Sequence, residues 1–111
     1  MAGIIHGRVT TSSVDSQDAV DGKFLSGKTV RLTALPTPIK YLLLEVPSEN
    51  KGDVYIGGST VASNNAPVLA KGTPREFTFR HDYHEAPGDL SDFYANFGHS
   101  GDVITYLAIT I

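Results

Sequence analysis

Asp53-Val54-Tyr55-Ile56-Gly57-Gly58-Ser59-Thr60-Val61 decides how this chain reads. Val54, Tyr55 and Ile56 form a short β-prone apolar run, and two glycines stop it at once. The reading expects the backbone to turn or bulge at Gly57 and Gly58, where a side chain would restrict it. Downstream, Pro67-Val68-Leu69 and Gly72 supply a second stop. Residues 75–80 then alternate as a further strand, with Phe77 and Phe79 on one side and Glu76, Thr78 and Arg80 on the other. Strand, glycine stop, loop and strand is the grammar of a small β-sandwich.

The same period of two extends outward from this stretch. Residues 4–10 read as a first short strand. Val30, Leu32 and Ala34 alternate with Thr29, Arg31 and Thr33, as a half-buried strand requires. Pro36 and Pro38 break the ladder. Leu42, Leu44 and Val46 then share one face, with Tyr41, Leu43 and Glu45 on the other. The run Pro47-Ser48-Glu49-Asn50-Lys51-Gly52 is a turn cluster, as is Asn96-Phe97-Gly98-His99-Ser100-Gly101. Residues 102–111 form the longest β run: Val103, Leu107, Ile109 and Ile111 share a face, and Ile104, Tyr106 and Ala108 lie opposite. No stretch keeps a 3.6-residue apolar period with caps, and no internal repeat is present. The expectation is all-β: one antiparallel β-sandwich domain over residues 1–111, jelly-roll-like, with seven to eight short strands. Residues 11–27 are polar apart from Val14, Ala19, Val20, Phe24 and Leu25, and read as a loop or arm that orders against a partner.

Length and composition bound the function. The 111 residues suit one domain, and the 41% apolar content is ordinary for a soluble protein. A net charge of −3, with nine basic residues scattered singly, argues against a nucleic-acid partner. The chain contains no cysteine, which removes disulfides, thiolate chemistry and cysteine-based zinc sites, and fits synthesis in a reducing cytoplasm. No apolar run approaches the ~18 residues of a membrane-spanning helix, so no membrane partner is expected.

Four kinds of chemistry have partial matches in the residues. Gly22-Lys23-Phe24-Leu25-Ser26-Gly27-Lys28-Thr29 satisfies G-x-x-x-x-G-K-S/T formally. The phosphate cradle needs a buried strand before it and a helix after it, and here polar residues precede and a strand pattern follows. His81-Asp82-Tyr83-His84-Glu85 gathers imidazoles and carboxylates, but without the helical i, i+4 spacing of a zinc protease, so a solvated polar loop is the better reading. No serine sits in G-x-S-x-G, and the acidic residues of the second half lack calcium-loop spacing. The expectation is therefore no enzyme, no cofactor and no metal. What remains is surface for partners. Tyr41, Leu43, Ile104 and Tyr106 on the less apolar strand faces, with Val14, Val20, Phe24 and Leu25 of the arm, are the candidate contact residues.

Asn50-x-x-Asp53-Val54-Tyr55-Ile56-Gly57-Gly58-Ser59-x-Val61, Leu69-x-x-Gly72, Asp89-Leu90-Ser91-Asp92-Phe93-Tyr94 and Gly101-Asp102-Val103-x-x-Tyr106-Leu107 together resemble a pattern in small virion proteins of tailed bacteriophages. Over about residues 28–111 the chain is similar to the jelly-roll capsid decoration proteins of the epsilon15 type, also called staple or cementing proteins. The resemblance implies a jelly roll bound as a homo-oligomer, a dimer, to the capsid exterior of a virion, bridging neighbouring subunits of the phage major capsid protein without catalysis or cofactor. The shared residues look structural and carry no binding role across. The same grammar serves phage tail, fibre or baseplate domains with glycan- or protein-binding roles, which stand as the alternative. A small metal enzyme on residues 81–85 is a third.

Overall fold

A computed structural model describes residues 3–79 and 88–111. Its strands are β1 (Ile4–Thr10), β2 (Lys23–Arg31), β3 (Pro38–Glu45), β4 (Val54–Gly57), β5 (Val68–Leu69), β6 (Pro74–Thr78), β7 (Gly88–Asp89), β8 (Tyr94–His99) and β9 (Val103–Thr110). One helical turn, α1 (Ser13–Ser16), precedes β2, and a 3₁₀ turn (Leu90–Asp92) precedes β8. The first sheet runs β1-β9-β3-β6 with β7 also on β3, and the second runs β2-β8-β4-β5. All pairings are antiparallel. The chain passes from sheet to sheet at nearly every connection, which is the jelly-roll arrangement of an all-β sandwich.

The alternation of β3 sets the core. Leu42 and Leu44 are fully buried, and Val46 beyond them continues the same face. Register places Ala108 opposite Leu42 and Tyr106 opposite Leu44, so the even-numbered residues of β9 point inward. Val54 and Ile56 on β4 answer from the second sheet, beside Phe97 and Ala95 on β8. Phe77 and Phe79 meet Phe93 edge-on at centroid distances of 5.3 and 5.8 Å, closing one end of the sandwich.

Two expectations about punctuation change here. Residues 96–99, read as a turn, belong to β8, and Phe97 is the largest fully buried side chain. Asn96 is tolerated in a strand because its amide donates to the Thr29 hydroxyl at 3.1 Å. The paired glycines of β4 also differ from one another. A Cβ on Gly57 would meet Val61 at 3.1 Å, whereas Gly58 has open space and no positive φ. Only Gly57 is demanded by a close approach.

Candidate partner-binding surfaces

The N-terminal segment is more ordered than a free arm. The Ser12 hydroxyl caps α1 by accepting from the Asp15 amide at 3.0 Å, and the Asp15 carboxylate accepts from the Ser12 amide in return. The Ser12 hydroxyl and amide bonds, aided by Lys28, hold the Asp15 carboxyl below its ordinary pKa. Asp21 and Gly22 both take positive φ, 54° and 77°, and Val20 and Lys23 exchange backbone hydrogen bonds of 2.9 and 3.0 Å across them. That is the tight hairpin turn for which Asp-Gly is the strongest short signal. The Lys28 ammonium lies 2.7 Å from Asp18 and 3.6 Å from Asp15, tying the segment to β2. The same bond to Asp18 raises the Lys28 pKa. The stretch from Gly22 to Thr29 is thus a hairpin turn and a strand, and no helix follows it to cradle a phosphate.

Within this segment the side chains divide. Leu25 is 91% exposed, Val14 70% and Val20 60%, so three of the expected contact residues stand in solvent. Phe24 corrects the expectation: it is buried, although outside the apolar core cluster and within the register shift of β2 between Lys23 and Lys28.

The outer face of the first sheet is the second surface. Register lines up Ile4, Ile109, Tyr41 and Thr78 in one row, His6, Leu107, Leu43 and Glu76 in the next, and Arg8, Thr105, Glu45 and Pro74 in a third. Tyr41 and Leu43 therefore do face outward, half-buried among their neighbours. Partial burial, with the Glu76 carboxylate beside it, raises the Tyr41 phenol pKa. Ile104 and Tyr106 do not join them. Ile104 is fully buried, and Tyr106 lies over Gly7 against the core, where a Cβ would strike its ring at 2.6 Å. The one-residue phase of β9 decides this, because its outward set is Thr105, Leu107 and Ile109, while Val103 at its start is buried.

Sequence reading passed over a polar cluster at the base of the β8–β9 turn. The buried Asp102 carboxylate accepts from the Lys51 and Gly52 amides at 2.8 and 2.9 Å. The Asn50 side chain both donates to and accepts from the Val103 backbone, at 2.7 and 3.0 Å. These bonds fasten the β3–β4 connection to β9 and leave the carboxylate and the amide satisfied, a structural role. A cleft of about 530 Å³ lies beside them, lined by Arg8, Glu49 and Ser100 among others. His99 Nδ1 is buried without a hydrogen-bond partner, 3.9 Å from Asp102. The signal that was available is the pairing of Asn50 and Asp102 with turns on both sides.

Among the described residues no group of three or more histidine, aspartate or glutamate side chains is placed to hold a metal ion. Residues 81–85 lie outside the described residues. No described helix is long and apolar enough to cross a membrane. No protein-family model matches the chain, and no curated protein matches it either.

Proposed function

We propose that this protein is a non-enzymatic virion component that binds the outside of a phage capsid and bridges neighbouring major capsid subunits. The observation that carries the reading is Leu25, 91% exposed on β2 while its neighbour Phe24 is buried. Val14 and Val20 are also exposed on the adjoining segment. Three exposed aliphatic side chains on a stretch pinned by a capping box and a hairpin turn make a preformed contact. Its ordering cost on binding is small. The resemblance over residues 28–111 and the jelly-roll strand order support the same assignment.

The physics of the role is mass action. A ligand that binds only the assembled, expanded shell stabilises it in proportion to occupancy. Bridging two subunits adds avidity without new contacts. Burying one leucine contributes about 1.5–3 kcal/mol, so Leu25→Asp is expected to weaken shell binding by roughly 10-fold to 150-fold. The test is cosedimentation of purified protein with expanded capsid shells, alongside the copy number per virion. Shell binding that Leu25→Asp weakens to that extent, with copies in the hundreds, supports the reading. A dozen copies or fewer, or no binding to shells, rejects it.

A further inference from the structure

We infer that the outer face of the β1-β9-β3-β6 sheet joins a second copy of this chain, through a twofold axis running along the strands between β9 and β3. Leu43, Leu107, Ile109 and Tyr41 form the centre of this face, on the two middle strands. The edges carry opposite character. His6 and Arg8 stand outward on β1, whereas Glu76 stands on β6 and Glu45 beside it on β3. All four are exposed. Lys40 sits in the bulge between Ile39 and Tyr41 and has no register partner in these rows.

Two perpendicular twofold axes through the middle row of this face can be compared. With the axis across the strands, each edge lies on its own copy, so His6 meets the partner's His6, Glu76 meets the partner's Glu76, and Arg8 falls on the partner's Ile4. With the axis along the strands, the edges exchange and each row meets itself reversed. His6 then lies over the partner's Glu76, Leu107 over the partner's Leu43, and Ile109 over the partner's Tyr41. Arg8 falls next to the partner's Glu45 and Glu76. Only the second arrangement is complementary in charge as well as apolar at its centre.

Over the five residues that all four strands share, with strands about 4.8 Å apart and a rise of about 3.4 Å per residue, the face measures roughly 330 Å² in projection. An interface of ~800 Å² per partner therefore also takes in the ends of β1 and β9. This pairing does not depend on what the dimer binds. It leaves Val14, Val20 and Leu25 free, because β2 belongs to the other sheet.

The test uses purified full-length chain without capsids. Sedimentation equilibrium from micromolar concentration upward is expected to show a dimer, and a monomer throughout overturns the inference. Leu107→Asp is expected to give a monomer with an unchanged far-UV spectrum; a dimer that survives it overturns the face. Glu76→Arg is expected to raise the dimer dissociation constant at least tenfold at low salt, and Arg8→Glu added to it is expected to restore association. Failure of that rescue in folded protein overturns the edge exchange. The axis is read by cross-linking, which the cysteine-free chain permits. Facing sheets lie about 10 Å apart, too far for a disulfide, so a short bismaleimide is the probe. His6→Cys mixed with Glu76→Cys is expected to cross-link, and each alone is not, because the two positions lie at opposite edges of one row. Cross-linking within each variant alone, and not in the mixture, overturns the assigned axis.

Discussion

The outer face of the first sheet offers Tyr41, Leu43, Leu107 and Ile109 to whatever approaches, whereas the outer face of the second is closed by its own chain. There, Val61 returns over β4 against Gly57, and its carbonyl accepts from the Thr29 hydroxyl at 3.1 Å. Asn96 fills the space above Gly27, whose φ of +76° bends β2 at a register shift. Arg31 lies over the Tyr94 ring at 5.5 Å and donates to the Ser91 carbonyl at 2.6 Å. One face is satisfied within the molecule and the other is left apolar. The difference teaches where a partner gains most: burial of apolar side chains is rewarded on the first face, while the second has already spent its polar groups internally.

The sharpest way to break this comparison is to place a charge on each side of one strand. Ile104→Asp is expected to abolish cooperative thermal unfolding, because an unpaired carboxylate in the core costs several kcal/mol against a total stability of about 5–15 kcal/mol. Leu107→Asp, three residues along and facing outward, is expected to keep a cooperative melting transition, lowered only by the loss of the partner subunit. Circular dichroism melts of the two variants decide it, and equal loss in both would erase the distinction between faces. A smaller effect sharpens the closed face. Val61→Ala removes a buried side chain that roofs β4, and urea denaturation is expected to show a loss of about 1–2 kcal/mol.

The smallest effect concerns a stitch between the sheets. The Asp89 carboxylate accepts from the Ser91 hydroxyl at 2.6 Å and the Thr37 amide at 2.8 Å, joining the start of β3 to the turn before β8. Those bonds, the Ser91 hydroxyl first, hold its carboxyl below the ordinary value of 3.8. A lowered folded pKa means the contribution is complete above the unfolded value and is lost as pH falls through the folded one. Asp89→Asn is therefore expected to be less stable than the original at neutral pH, with the gap narrowing as pH falls below 3.8. Melting temperatures across that range are the measurement, and a gap independent of pH would count against the carboxylate's role.

Much of the fold was legible because period-two patterning is local. Leu42, Leu44 and Val46 were assigned to one face, Val54 and Ile56 to a buried strand, and both sets are core. The turn signals misled where a buried partner outweighed propensity. Asn96 and Gly98 looked like punctuation, yet Phe97 between them anchors β8 in the core. The candidate contact set was half legible. Exposure of Val14, Val20 and Leu25 followed from a polar setting, but burial of Phe24 depended on the register shift of β2, which no local pattern marks. The Asp21-Gly22 hairpin was the overlooked local signal, hidden inside the formal phosphate-loop match.

By itself the sequence determined the all-β class, the strand alternation and the absence of thiol chemistry, since each depends on residue type and spacing within a few positions. Tertiary structure alone decided which face of β9 turns inward. Both faces of residues 103–110 are apolar, so hydrophobicity along the chain is symmetric there. The choice was made by register against β3 and β1, where Leu42, Leu44 and Val9 draw Ala108, Tyr106 and Ile104 into the core. The equally apolar Leu107 and Ile109 are left facing outward.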